Sequence, residues 1–78
     1  MPRLRLFGPA RQAAGVAATT ADGETVAAAL ESARARFGVE FSAVLATSAV
    51  WVNGVAVGIE TRVGADDEIA VLPPVSGG

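Results

Sequence analysis

The residues best placed to do chemistry close the chain: Leu72-Pro73-Pro74-Val75-Ser76-Gly77-Gly78. Pro73 and Pro74 lack the N–H that a strand ladder or a helix interior requires, so regular structure is expected to stop at Leu72. Gly77 and Gly78 carry no Cβ, which lets the backbone enter a narrow channel and reach φ values closed to other residues. At ~3.3–3.6 Å per residue, the stretch from Pro73 to Gly78 can reach about 20 Å from the body of the domain. Such an arm suits delivery of a terminal carboxyl group into another protein's active site. Small residues also gather at frayed ends, so Gly-Gly alone is not diagnostic. Ser76 suggests a nucleophile, but the chain offers no base to activate it. Asp66, Asp67 and Glu68 have the oxygen ligands a divalent cation needs. A solvated acidic turn accounts for the same run, and no metal site is assigned.

Composition removes most catalytic classes. The chain has 78 residues, with neither cysteine nor histidine. That excludes disulfides, thiolate nucleophiles, the usual zinc sites and the commonest general base. All six basic residues are arginine, so no lysine is present to form a Schiff base or to accept a second copy in an isopeptide chain. Net charge is −2 and the sequence pI is about 4.8, which leaves no basic footprint for nucleic acid. The apolar fraction is 51% and the charged fraction 18%, against about 25% charged residues in an average globular protein. An apolar surplus in so small a domain points to apolar surface kept for a partner. The absence of cysteine fits a cytoplasmic protein, and Met1 to Leu6 has no apolar core of signal-peptide length. The stretch from Phe41 to Ile59 is uncharged and about as long as a bilayer span. Ser42, Thr47, Ser48, Asn53, Gly54 and Gly58 interrupt it, and it reads as two half-buried strands and a loop rather than a membrane helix.

The elements that must position the tail follow from periodicity. Arg3 to Phe7 alternates, with Leu4 and Leu6 on one face and Arg3, Arg5 and Phe7 on the other. Gly8-Pro9 ends this strand, and Ala10 to Gly15 is either a short helical turn or a loop. Val16 to Ala21 reads as a weaker strand. Val26, Ala29, Leu30, Ala33 and Phe37 recur at helical spacing, predicting one main helix over residues 25–37. Thr25 is its expected N-cap and Gly38 its C-terminal stop, while Arg34 and Arg36 lie on a solvated face. Phe41 to Thr47 is expected to be a connection anchored by Phe41, Val44 and Leu45. Ala49 to Asn53 alternates again, Asn53-Gly54 is a hairpin signal, and Val55 to Ile59 is a short strand. Val63 packs inward, and Ile69 to Leu72 is the last strand. Strongly apolar first and last strands are expected side by side in the middle of the sheet. The fold class is therefore α+β, a ubiquitin-like β-grasp with a mixed sheet and one main helix on one face. Residues 1–72 form the domain and residues 73–78 a flexible Gly-Gly tail.

With the helix on one face of the sheet, the other should be polar. Alternation instead sends Phe7, Trp51, Ala70 and Leu72 to it. An apolar cluster of this kind marks a docking face beside the root of the tail, unless loops cover Phe7 or Trp51.

The ending Asp67-Glu68-Ile69-Ala70-Val71-Leu72-Pro73-Pro74-Val75-Ser76-Gly77-Gly78 resembles the closing motif of the MoaD/ThiS sulfur-carrier family. Its Pro-Pro-Val-Ser-Gly-Gly form is most similar to the small subunit of molybdopterin synthase. Leu6 to Gly15 looks like the family's first strand and following turn, and Val52-Asn53-Gly54 like its mid-chain turn. Where the family usually has Gly-Asp-Glu before the last strand, Asp66 replaces the glycine. Should that position need positive φ, aspartate is among the cheaper replacements.

The resemblance implies that an E1-like (MoeB-like) enzyme adenylates Gly78 with ATP and that a persulfide sulfur displaces AMP to leave a thiocarboxylate. Val75, Ser76 and Gly77 would form the tail segment that threads the partner's channel. Phe7, Arg11 and Leu72 would bind the large (MoaE-like) subunit of molybdopterin synthase, and Trp51, placed on the same face by alternation, would join them. The sulfur would then pass to a pterin precursor in molybdenum cofactor biosynthesis. On this reading the chain is a carrier subunit with no catalytic groups and no bound cofactor of its own, with no nucleic-acid or membrane partner. Sulfur carriage for thiamine or cysteine biosynthesis and ubiquitin-like protein modification need the same tail. A plain interaction module would tolerate loss of Gly77-Gly78.

Overall fold

The computed structural model describes residues 1–73; Pro74 to Gly78 lie outside the described residues. The chain runs β1 (Arg3–Leu6), α1 (Gly8–Ala14), β2 (Ala18–Thr20), α2 (Val26–Phe37), α3 (Val39–Leu45), β3 (Ala49–Val52), β4 (Val55–Ala56) and β5 (Glu68–Leu72). One five-stranded sheet forms in the order β2-β1-β5-β3-β4. β1 and β5 pair in parallel with Leu4 opposite Ile69 and Leu6 opposite Val71. The remaining pairs are antiparallel. The first and last strands are thus neighbours at the centre, as their apolar content suggests.

Alternation decides which face of each strand is buried. Leu4, Leu6, Ile69 and Val71 turn one face of the central pair inward and are essentially inaccessible to water. Val26, Ala29, Leu30 and Ala33 lay the apolar stripe of α2 over them. Each Val, Leu, Ile or Phe side chain taken fully out of water contributes about 1.5–3 kcal/mol. Among the described residues no buried side-chain nitrogen or oxygen lacks a partner.

The ends of α2 match the expectation in detail. The Thr25 hydroxyl accepts a hydrogen bond from the Ala28 N–H at 3.1 Å. Gly38 takes φ 92° and donates its N–H to Arg34 O. The next free donors at the N-terminus go to the chain leaving β4. Val26 N–H donates to Thr61 O and Ala27 N–H to Ile59 O, at 2.9 and 2.8 Å. This explains why β4 stops at Ala56 rather than running to Ile59: carbonyls beyond it serve the helix instead of a ladder.

Two further expectations are corrected, the connection over Phe41 to Thr47 and the idle Arg36. The main helix α2 is joined by two seven-residue helices, α1, which takes the helical option left open for residues 10–15, and α3. The stretch expected to be a connection is mostly α3, because Gly38 redirects the chain and Phe41 and Leu45, four residues apart, then bury together on one helical side. Arg36 is exposed but not idle. Its guanidinium donates to Thr19 Oγ1 and to Thr20 O, at 3.2 and 2.9 Å, tying α2 to β2.

Candidate functional site

The open face of the sheet is assembled row by row from register. Arg5 stands opposite Ala70, Ala70 opposite Trp51 and Trp51 opposite Ala56. One row further along, Leu72 faces Ala49. The parallel register continued by one position brings Phe7 level with Leu72, and the Phe7 N–H still donates to Val71 O at 3.1 Å. Phe7 is 40% exposed and Trp51 39%. Leu72, Ala70 and Ala49 are half-buried. Neither aromatic ring is covered over, and the apolar residues expected on this face form one patch across β1, β5 and β3. Ala49 and Ala56 belong to it as well. They carry no strong sequence signal, since alanine is common on every surface, and only register brings them there.

Charge rims the patch on one side. Arg3 and Arg5 share its face, and the Arg5 guanidinium lies 3.7 Å from the Glu68 carboxylate. Arg3 donates to Asp66 O at 3.3 Å. Arg11 is exposed on α1, the helix for which Phe7 is the N-cap residue. Val75, Ser76, Gly77 and Gly78, expected to carry the acyl chemistry and its channel, lie outside the described residues.

At the opposite end of β5 the acidic run is engaged in holding the turns together. Asp67 accepts hydrogen bonds from the Gly64 N–H at 2.8 Å and from the Asn53 amide at 2.9 Å. These two bonds, the backbone one first, hold its carboxyl below its ordinary value of 3.8. Asn53 also accepts from the Glu68 N–H through its side-chain oxygen. With Asn53 at φ 51° and Gly54 at φ 82°, the turn has the two left-handed residues that a two-residue hairpin needs. Asn53 therefore does more than the sequence signalled, locking the β3–β4 turn to the start of β5. Asp66 is not at positive φ, so replacing the glycine there requires no backbone strain.

The strand that leads to the tail ends in a specific contact. Gly8 has φ 53°, and a Cβ built on it would lie 3.4 Å from Pro73 Cγ. The Pro73 ring thus rests over the glycine that turns β1 into α1. No sequence pattern announces a contact between residues so far apart.

A mixed sheet with parallel first and last strands at its centre, one face under helices and the other bearing an apolar patch at the root of the C-terminal arm, defines a ubiquitin-like β-grasp protein. The sequence matches the ThiS family over residues 4–78, and the chain belongs to that family of the MoaD/ThiS sulfur carriers. Among solved structures, small archaeal modifier protein 1 from Methanosarcina acetivorans is 28% identical with a TM-score of 0.84, covering 97% of this chain and 94% of its own. The BexX/CysO complex of Amycolatopsis orientalis contains a chain 22% identical with a TM-score of 0.82, covering 100% of both. The complex of subunits 1 and 2 of molybdopterin-converting factor from Helicobacter pylori contains one 23% identical with a TM-score of 0.65, covering 97% of this chain and 96% of that one. The last two are likenesses of fold. No curated protein matches the sequence. Among the described residues, no helix is long and apolar enough to cross a membrane.

Proposed function

We propose that the chain is a cytoplasmic sulfur carrier acting as the small subunit of molybdopterin synthase, with Gly78 as its reactive terminus. The observation that carries this reading is the coincidence of a family match running to Gly78 with an apolar face beside the strand that leads there. A carboxylate is a poor electrophile, so an E1-like enzyme transfers AMP from ATP to Gly78 and releases pyrophosphate. The terminal sulfur of an enzyme persulfide attacks the acyl carbon and AMP leaves. A second thiol then cleaves the resulting acyl disulfide, forming an enzyme disulfide and freeing the thiocarboxylate. The large synthase subunit binds Phe7, Leu72 and Trp51, with Arg11 at the margin, and receives the tail. The chain brings no catalytic group and no bound cofactor; ATP belongs to the activating enzyme.

The similarity to a small archaeal modifier protein favours a second reading, conjugation of Gly78 to lysines of other proteins. Carriage for thiamine or cysteine biosynthesis uses the same activation and differs in the acceptor.

Intact-mass measurement after incubation with ATP, activating enzyme and sulfur donor tests the reading. One oxygen-to-sulfur exchange is expected on the parent and none on a variant extended by one residue after Gly78. The extended variant should melt like the parent, because the added residue lies far beyond the core strands. Misplacing a reacting group by an ångström costs about a hundredfold in rate. An unmodified parent beside a competent enzyme would overturn carriage, and a modified extended variant would overturn Gly78 as the reactive group. Conversion of a pterin precursor only when the large synthase subunit is added assigns the pathway.

A further inference from the structure

The geometry points to Pro73 as a positioning residue that sets the direction in which the reactive arm leaves the domain. The inference rests on the carrier reading above and deepens it. Three features of the contact carry it. The ring of Pro73 lies against Gly8, with Cγ, Cδ and Cβ at 3.4, 3.7 and 3.9 Å from where a side chain would begin. Gly8 is in the left-handed region at φ 53°, so the chain turns from β1 into α1 at the point of contact and presents bare backbone to the ring. Pro73 is also rigid in itself. Its ring fixes φ near −65°, and the following Pro74 confines its ψ to extended values.

The strand below is fixed as well. β5 is paired on both sides, and the Phe7 N–H donates to Val71 O two residues before Pro73. The exit vector and the docking patch therefore form one rigid unit. Phe7 lies immediately before Gly8, and Leu72 immediately before Pro73. A partner that seats the patch therefore meets Pro73 at a fixed place beside Phe7 and Leu72. Proline supplies this role without contributing to the core, since Pro73 is itself exposed.

The test is Pro73→Ala, assayed for thiocarboxylation by the activating enzyme with ATP and a sulfur donor, beside the parent. The expected result is a kcat lower by roughly tenfold or more with KM within about twofold, because docking is intact and the arm misaligned. Thermal unfolding should be unchanged. A purely structural proline would lower the melting temperature and leave kcat at saturation alone. Nuclear Overhauser contacts between the Pro73 ring and the Gly8 Hα of the parent provide a readout independent of sulfur chemistry, and their absence would overturn the proposal. An unimpaired Pro73→Ala beside an active parent overturns the positioning role alone. A parent that accepts no sulfur overturns the carrier reading and the positioning role with it.

Discussion

Phe7→Ala is expected to weaken docking on the large synthase subunit by about 2 kcal/mol. A phenylalanine buries roughly 150–250 Å² when fully covered. Phe7 is 40% exposed, so about 80 Å² remains for a partner to cover, worth about 2 kcal/mol at ~25 cal/mol per Å². That corresponds to roughly a thirtyfold rise in Kd. The substitution is not neutral for folding either. The larger part of Phe7 is already shielded by its own domain, so truncation costs stability of a similar order. Binding must therefore be measured by titration calorimetry at a temperature where circular dichroism shows the variant fully folded. Phe7→Leu, which keeps most of the apolar bulk, should lose less of both. A Kd for Phe7→Ala within twofold of the parent, under folded conditions, would show that the patch is not the docking surface.

Other perturbations test the frame that holds this face. Leu30 is buried in the middle of the α2 stripe, so Leu30→Ala should cost about 2–5 kcal/mol in urea unfolding; an unchanged midpoint would refute the packing. A Cβ on Gly23 would fall 2.4 Å from Ala29 N and 2.7 Å from Ala28 C. Gly23→Ala should therefore destabilise by about 1–3 kcal/mol, and a silent substitution would show that the loop before α2 lies elsewhere. The Asp67 carboxyl is held below 3.8 by Gly64 and Asn53. Because its folded value is depressed, its contribution to stability is complete above the unfolded value and is lost as pH falls through the folded one. Parent and Asp67→Asn should thus differ in unfolding midpoint at neutral pH and converge in acid, where a constant difference would refute the charge-based account.

Much of the fold was legible because alternation and helical spacing are properties of short windows. Leu4 and Leu6, Ile69 and Val71, and the stripe of α2 each declare a buried face within a few residues. The apolar patch was legible for the same reason, since Phe7, Trp51 and Leu72 fall out of phase with their buried neighbours. Helix α3 was not. Seven residues give barely one turn of pattern, Phe41, Val44 and Leu45, which fits an anchored loop equally well. Hydrogen bonds across long sequence distances were also invisible. Asn53 declared its turn through its tolerance of positive φ, but its bonds to Asp67 and Glu68 depend on where β5 begins. Arg36 looked solvated because its partners, Thr19 and Thr20, lie on a strand whose position no helical pattern specifies.

On the carrier reading partners must handle the arm without unravelling the domain, and the position of β5 suits that demand. A strand at the edge of the sheet would be held by one ladder, and a partner drawing its end into a channel would load that ladder alone. β5 lies between β1 and β3 and is bonded to both along four register positions each. Its inward residues Ile69 and Val71 are fully buried. Pulling it out would break both ladders and expose the centre of the core together, which places the strand near the global end of the stability scale rather than among segments that open locally. The docking patch strengthens this, because its rows cross β1, β5 and β3. On the carrier reading, a partner covering Phe7, Leu72 and Trp51 would hold the three central strands against one another while it takes up the arm. A central strand that ends beside the apolar patch meets both demands of that reading, leading into the arm while keeping the body folded.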